Sequence, residues 1–488
     1  MKYLFYFVLL LFSASIMTSC AEDNDDVLEP ATASEINDFI WKGLNGFYLY
    51  KSQVPDLADD RFSSNEGYAD FLNTFTTPEA IFEGLLTTQT TFVNGDTYNV
   101  DDFSFLVDDY VALEESFDGL SLSNGMEFSL FFADETETAI FGVVRYVLPN
   151  TDAKDKGIQR GDAFNSVNGN QLTVDNYRDL LFGASTTYSI GLANYDGENV
   201  TSTGQSIELT QVEYTENPVF ITKTLDIGDD TVGYLMYNSF TADFDTELNN
   251  AFGELKAAGI TELVLDLRYN GGGSVTSAVA LASMISAQST DNVFSVEEWN
   301  SDINPLFNDE DLINSFVTTT RDNDAINSVN LDRLYVLTTN SSASASELVI
   351  NGLDPYIDVV TVGTATRGKF QASITLYDSD NFFRSGDNLN TGHTYAMQPL
   401  VLKSSNSLGV TDYYAGFAPD IEVFEDRSNL GILGDPEETL LKAALDDIQG
   451  AARSFNKSKT SALKLFGESK MNSPIFQRMY LDLENAKK

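Results

Sequence analysis

The stretch Leu263-Val264-Leu265-Asp266-Leu267-Arg268 is apolar on nearly every residue. A strand without polar alternation has both faces covered, as in a parallel sheet held between helices. It follows the amphipathic stretch Leu248 to Ala258 and runs into Tyr269-Asn270-Gly271-Gly272-Gly273-Ser274 and a helix from Val275 to Ile285. The pattern repeats. Leu334-Tyr335-Val336-Leu337-Thr338 leads into Asn340-Ser341-Ser342-Ala343-Ser344-Ala345-Ser346-Glu347 and a helix through Leu353. Val359 to Gly363 follows, then Thr366-Arg367-Gly368-Lys369. Repeated strand, tight turn and helix predict a layered α/β domain over residues 214–446. Sites in such sheets lie beyond the carboxyl ends of the strands. The glycine triplet and the serine cluster both sit there.

Charge and rare residues remove several function classes. Lys+Arg is 28 against Asp+Glu 74, a formal net charge of −46. Sequence-independent nucleic-acid binding needs basic surface to displace counterions, so this charge nearly rules it out. The same charge argues against a body that docks on anionic lipid. One Cys permits no internal disulfide and no Cys-based zinc site, and one His, His393, permits no two-histidine mechanism.

The N-terminus reads as a targeting signal. Lys2 precedes an apolar run from Leu4 to Met17, then Thr18-Ser19-Cys20. The run is short for a bilayer span, which takes about 20 apolar residues, and fits a secretory leader. It resembles a bacterial lipoprotein signal over 1–19 with lipidation at Cys20. Residues 20–31, opening Cys20-Ala-Glu-Asp-Asn-Asp-Asp, read as an acidic tether. Membrane contact is then expected only through lipidated Cys20, in a bacterial cell envelope.

Residues 32–118 read as a small N-terminal helical domain. Thr32 and Glu35 have capping-box spacing, Ile36, Ile40, Leu44, Phe47 and Tyr48 recur at helical spacing, and Thr77-Pro78-Glu79 opens a further helix. Residues 119–213 carry the strands Met126 to Phe132 and Ala139 to Val144, then Gly157-Ile158-Gln159-Arg160-Gly161-Asp162 and Asn168-Gly169, a hairpin signal. This order resembles a PDZ domain of bacterial proteases. By that resemblance the loop Gly125-Met126-Glu127-Phe128 holds a peptide carboxylate with backbone N–H groups. Glu127 stands where such loops have Gly, and its charge opposes a terminal carboxylate. Residues 447–488 read as a basic appendage. The last 38 residues hold eight Lys/Arg and three Asp/Glu.

The serine cluster is the best chemical candidate. A strand-to-helix elbow of small residues presents a hydroxyl beside free helix-start N–H groups, which attract developing negative charge. The serine needs a base. The usual base is His, and nothing places His393 near the cluster. A lysine neutralised by burial is the other option. Lys369 follows Ser344 past one helix and one strand, which returns the chain to the same sheet edge. Lowering its pKa from about 10.4 to about 7 requires burial to cost the ammonium form roughly 4–5 kcal/mol. Each motif alone is commonly structural: a glycine turn, a helix cap, a surface turn.

Taken together and in order, they resemble the C-terminal processing (tail-specific) serine peptidases. The resemblance runs over roughly residues 100–445, including Asp102-Phe103-Ser104 and Gly416-Phe417-Ala418-Pro419-Asp420. It implies a ClpP/crotonase-like α/β core with an inserted PDZ-like domain and a Ser–Lys dyad that needs no metal and no organic cofactor. By motif position Ser344 is the nucleophile and Lys369 the general base. The N–H of Ala345 and of Gly271 or Gly272 forms the oxyanion hole. Glu347 supports the site, and Gln371 is the nearest counterpart of a glutamine that many members place four residues after the lysine, where Ser373 stands here. The expected function is a cell-envelope serine endopeptidase cleaving polypeptides with accessible C-terminal segments. The rival is a peptide-binding lipoprotein on the same fold with a weak or inactive core. A crotonase-like acyl-transfer enzyme is disfavoured, since it needs neither a PDZ-like module nor a Ser–Lys pair.

Overall fold

The computed structural model describes residues 34–450 and 463–481. The leader, Cys20, the acidic tether and Thr32 lie outside them. The first helix, α1 (Glu35–Phe47), is capped by Ser34, whose hydroxyl accepts from Asn37 N–H. Ile40, Leu44, Phe47 and Tyr48 are buried along it. α2 (Asn65–Leu72) and α3 (Pro78–Gly84) follow, the latter capped by Thr77 with Pro78 in the first turn. This region is not purely helical. Thr90–Val93 and Asp96–Asn99 form a hairpin around Asn94-Gly95, both with positive φ. Phe105–Val107 then pairs with Ala396–Gln398, so the N-terminal region is joined to the core.

The second region is a sheet of β1 (Met126–Phe132), β2 (Ile140–Val147), β3 (Ala163–Val167), β4 (Thr187–Tyr195) and β5 (Val200–Thr210), with a short helix α4 (Tyr177–Leu181). Its order runs β5-β4-β3-β2-β1. Asn168-Gly169 makes the expected tight turn, both residues having positive φ.

The core sheet is built from β6 (Val219–Ile227), β7 (Asp230–Tyr237), α5 (Asp245–Ala258) and β8 (Glu262–Asp266). The chain continues through β9 (Gly273–Ser274), α6 (Val275–Ser286), β10 (Val293–Trp299) and β11 (Ile313–Ser315). β12 (Arg333–Thr338), α7 (Ala345–Leu353), β13 (Asp358–Gly363), β14 (Gln371–Ser373), β15 (Leu400–Ser405), β16 (Ile421–Glu422) and α8 (Thr439–Ile448) complete it. The core order is β6-β7-β8-β12-β13-β16. The pair β6-β7 is antiparallel, and every other pair is parallel. Leu263, Val264 and Leu265 are fully buried, which is why the strand shows no polar alternation. α6 and α7 cover one face, with Phe294 and Leu348 in a shared apolar cluster. α8 covers the other through Leu440, Leu441 and Ala444.

Within the basic C-terminal stretch, the described residues 463–481 are paired into two sheets of the body. β17 (Leu465–Glu468) adds to the free edge of β1, and β18 (Met479–Tyr480) lies in a third sheet of order β9-β18-β14-β15-β10-β11. Ion pairs draw it onto the acidic body, Lys470 Nζ to Glu216 at 2.6 Å and Lys464 Nζ to Glu137 at 2.8 Å.

A buried ionic cluster fixes the end of β8. Arg268, with no exposed surface, binds Glu438 at 2.6 Å and Asp266 at 2.8 Å. Arg160, from the second region, binds Glu425 at 2.9 Å, and Tyr269 Oη donates to the same carboxylate at 2.5 Å. Buried charge of this kind is tolerated only when fully paired, so the cluster also sets how the second region meets the core. Among the described residues no helix is long and apolar enough to cross a membrane.

Candidate active site

β12 ends at Thr338, and the chain turns through Asn340–Ala343 into α7 with Ser344 at the helix start. Ser344 has φ +66°. A non-glycine residue there costs on the order of 1–3 kcal/mol and persists only where the surroundings enforce it. Two contacts enforce it. Ala343 N–H donates to Asn270 O at 3.1 Å and Arg367 N–H to Ser342 O at 3.0 Å. The elbow is thus pinned between the glycine loop and the segment that carries Lys369.

The four neighbouring hydroxyls are not equivalent. Ser342 Oγ donates to Leu267 O at 2.7 Å, Ser346 Oγ to Asn270 O at 3.0 Å, and Ser341 Oγ to Glu468 at 2.6 Å. Among the described residues, Ser344 Oγ is buried and has no hydrogen-bond partner. Lys369 Nζ is likewise buried and without a hydrogen-bond partner among them. A buried polar atom without a partner costs about 1–3 kcal/mol, and here two such atoms sit on segments joined through one carboxylate. Burial pushes the Lys369 amine well below its ordinary value, and the Arg478 guanidinium pushes the same way against the opposing pull of Asp101 and Glu347. The amine lies 5.0 Å from the centre of the Phe103 ring.

Glu347 joins the two segments. Its Oε2 accepts from Ser344 N–H at 2.8 Å and from Lys369 N–H at 2.9 Å. Its Oε1 accepts from Gly368 N–H at 2.7 Å and Thr366 Oγ1 at 2.6 Å. Burial pushes its carboxyl up, with these donors pulling the other way.

The glycine loop closes the third side. Gly272 has φ +107°, and a Cβ there would lie 2.6 Å from Ser344 Cβ, 2.8 Å from Arg478 O and 2.9 Å from Ala345 N. Only glycine allows this approach. Ala345 heads α7, where the first N–H groups have no intrahelical acceptor. Gly272 N–H donates to Asn270 Oδ1 at 2.8 Å, and Asn270 is itself held by Tyr237 O at 2.8 Å. Gly271 packs against Gln477.

Other expected residues fall elsewhere. Gln371 lies in β14 and donates to Tyr50 Oη at 2.9 Å and Val100 O at 3.3 Å, not into the Ser344 elbow. His393 accepts from Tyr395 N–H at its Nδ1 and meets Asp378 at 3.0 Å through Nε2, beside Phe39. Gly125 N–H donates to Ser123 Oγ at 2.9 Å and Met126 N–H to Asn124 Oδ1 at 3.0 Å. Phe128 N–H donates to Ser469 Oγ at 3.2 Å. Ser469 Oγ meets Glu127 Oε2 at 2.5 Å. Sequence reasoning missed Asp101, Asn270 and Arg478. Asn270 stands in the glycine loop and was open to discovery. Asp101 and Arg478 carry no local signal.

The family model described as "Peptidase family S41" matches residues 231–423, and "Peptidase S41 N-terminal domain" matches residues 35–105. The crystal structure of an assigned S41 protease from Bacteroides fragilis NCTC 9343 is 25% identical, with TM-score 0.63, covering 84% of this chain and 97% of that one. The photosystem II D1 C-terminal processing protease shares the fold at 20% identity and TM-score 0.51, with 84% and 97% covered. The carboxyl-terminal-processing protease of Picosynechococcus sp. is 27% identical over 247 residues, 50% of this chain and 52% of that protein. Carboxyl-terminal-processing peptidase 3 of Arabidopsis thaliana is 26% identical over 266 residues, 52% and 48%. The chain thus spans about half the length of these two curated relatives.

Proposed function

Because the chain belongs to peptidase family S41, we propose that Ser344 is its nucleophile and Lys369 its general base, in a serine endopeptidase of the cell envelope. The observation that carries this is the pair of buried, unpartnered atoms Ser344 Oγ and Lys369 Nζ on segments sharing one carboxylate oxygen. Lys369, neutral through burial, takes the Ser344 proton as Oγ attacks a peptide carbonyl. Ala345 N–H and a glycine-loop N–H stabilise the oxyanion, that of Gly271 or, once it leaves Asn270 Oδ1, that of Gly272. Lys369 then protonates the leaving amine, and water hydrolyses the acyl-enzyme. Glu347 acts as a positioning residue.

The relatives named for carboxyl-terminal processing support a polypeptide substrate cut near its C-terminus. The second region would serve as the PDZ-like peptide module. Cys20 would carry the lipid that holds the chain at a membrane. Fluorophosphonate labelling tests the dyad: the wild-type chain takes one label and Ser344→Ala takes none. Equal labelling of both defeats the assignment. Membrane partitioning tests the anchor, since Cys20→Ser should leave the body folded and release it to the aqueous fraction.

A further inference from the structure

The two segments that would guide a peptide to Ser344 are already occupied by the chain itself. β17 lies antiparallel on the free edge of β1, Leu465 opposite Phe131 and Glu468 opposite Ser129. Phe466 sits between Phe132 at 5.2 Å and Tyr177 of α4 at 4.8 Å. A strand added to a sheet edge beside a helix is a standard mode of peptide capture. The captured segment does not end there. Where a terminal carboxylate would meet Glu127, the chain continues through Ser469 to Lys470, whose ammonium pairs with Glu216 at 2.6 Å. Glu216 takes this cation and Glu127 meets the Ser469 hydroxyl, so the chain itself occupies the place of a free C-terminus. Glu468 then binds Arg145 and Ser341, both at 2.6 Å, tying the segment to the serine elbow.

Downstream, the same segment crosses the site. Gln477 packs on Gly271. Met479 and Tyr480 pair in parallel with Gly273 and Ser274, and Tyr480 also pairs with Ser373 of β14. Ser373 Oγ donates to Met479 O at 3.2 Å, and Leu481 N–H donates to Ser373 O at 3.0 Å. Met479 is fully buried. The strand therefore lies between the strand after the glycine loop and the strand after Lys369. The Arg478 carbonyl oxygen falls within 2.9 Å of the same point as Ser344 Cβ and Ala345 N. Its side chain lies over Phe105 at 5.0 Å and Phe103 at 5.6 Å. Ser344 and Lys369 have no exposed surface, so an external peptide reaches them only after this segment leaves.

We propose that residues 463–481 are a tethered substrate of this chain, cut in cis between Arg478 and Met479. The proposal rests on the peptidase reading above. Ser344 Oγ bonds to the Arg478 carbonyl carbon, and its proton passes to Lys369. The Arg478–Met479 C–N bond breaks, and the proton goes to the new Met479 amine. Water then splits the ester, restoring Ser344 and leaving an Arg478 carboxylate. Residues 479–488 are released.

Intact-mass measurement on the purified full chain tests this, with Ser344→Ala as the uncut reference and fluorescein-labelled casein as the external probe. The expected result is a wild-type chain ten residues shorter, ending at Arg478, and a Ser344→Ala chain that stays whole even when mixed with wild type. Tail loss from Ser344→Ala in that mixture means cutting between molecules and overturns the tethered arrangement. A chain that stays whole while cleaving casein in a Ser344-dependent way overturns the proposal and leaves the peptidase reading standing. A chain that stays whole, spares casein after deletion of residues 463–488 and takes no fluorophosphonate overturns both. A tail lost equally from wild type and unmixed Ser344→Ala assigns the cut to another protease.

Discussion

Ser344 and Lys369, 25 positions apart in sequence, donate their backbone N–H groups to one oxygen, Oε2 of Glu347, at 2.8 and 2.9 Å. This sets the spacing of the elbow against the lysine segment without a hydrogen bond from either side chain among the described residues. Glu347→Gln retains the shape and turns an NH2 against at least one of the N–H groups that Glu347 now accepts. A buried mismatch of that kind costs about 1–3 kcal/mol. The variant should fold, melt lower and lose kcat more than KM rises, as expected when a positioning group is disturbed. A change in KM alone would remove Glu347 from the positioning role.

The serine cluster gives a sharper test, because among the described residues only the Ser344 hydroxyl of the cluster lacks a partner. Ser344→Ala should abolish turnover. Ser341→Ala, Ser342→Ala and Ser346→Ala should keep most activity and lose roughly 1–3 kcal/mol of stability each, most at Ser341, whose hydroxyl meets both Glu468 and Arg145. Lys369→Ala should be nearly as damaging as Ser344→Ala, since nucleophile and base act as a unit. Lys369→Arg should not rescue, because a guanidinium stays protonated. His393→Ala should leave turnover intact, since its ring is held by Tyr395 and Asp378. Steady-state rates and thermal melts across this panel check each outcome.

The lysine's environment fixes the sign of the pH dependence. Burial and Arg478 hold the Lys369 amine well below its ordinary range. Activity should rise as pH rises through that lowered value, because the base must be neutral. Stability follows the same direction. Between the lowered folded value and about 10.4 in the unfolded chain, the unfolded chain binds a proton that the folded one does not. Raising pH in that window favours folding. Lys369→Met should remove this slope and raise stability near neutral pH while ending activity. Chemical denaturation at a series of pH values distinguishes the two chains, and parallel slopes would mean the amine is not depressed.

The local strings of the core were legible because each carries its own constraint. Leu263 to Leu265 could be read as a doubly covered strand, and Gly271 to Gly273 and Ser341 to Ser346 as turns at strand ends. Asn94-Gly95 gave a hairpin signal inside a region read as helical, and was overlooked. The helix cap fell to Ser34 rather than Thr32, a matter of two residues that spacing alone does not decide. Phe103 under Lys369 and Arg478 beside it were not legible as site-lining groups, although Phe103 fell within the resemblance. Their roles come from packing between segments hundreds of residues apart, and neither sits in a periodic stretch. β17 and β18 were missed for a related reason. Four and two residues are too few to show alternation, and their pairing depends on the edges they find.

The ionic cluster at the end of β8 yields a stability prediction independent of catalysis. Arg268 meets Asp266, Glu425 and Glu438 with no exposed surface on the arginine. Burial pushes Glu425 up, yet Arg427, Arg160 and Arg268 together hold it well below its ordinary value. A carboxylate lowered in this way contributes stability above its unfolded value, and that stability is lost as pH falls through the folded value. Arg268→Met supplies a similar apolar length and strips one cation from three carboxylates. Breaking a buried pair on one side costs about 3–5 kcal/mol. The variant should therefore melt well below wild type at neutral pH. With Glu425 less strongly held, its acid unfolding should begin at higher pH. Circular dichroism followed from neutral to acid pH reads both effects. An unchanged acid midpoint would mean that Arg160 and Arg427 alone hold Glu425, and that Arg268 serves only Asp266 and Glu438.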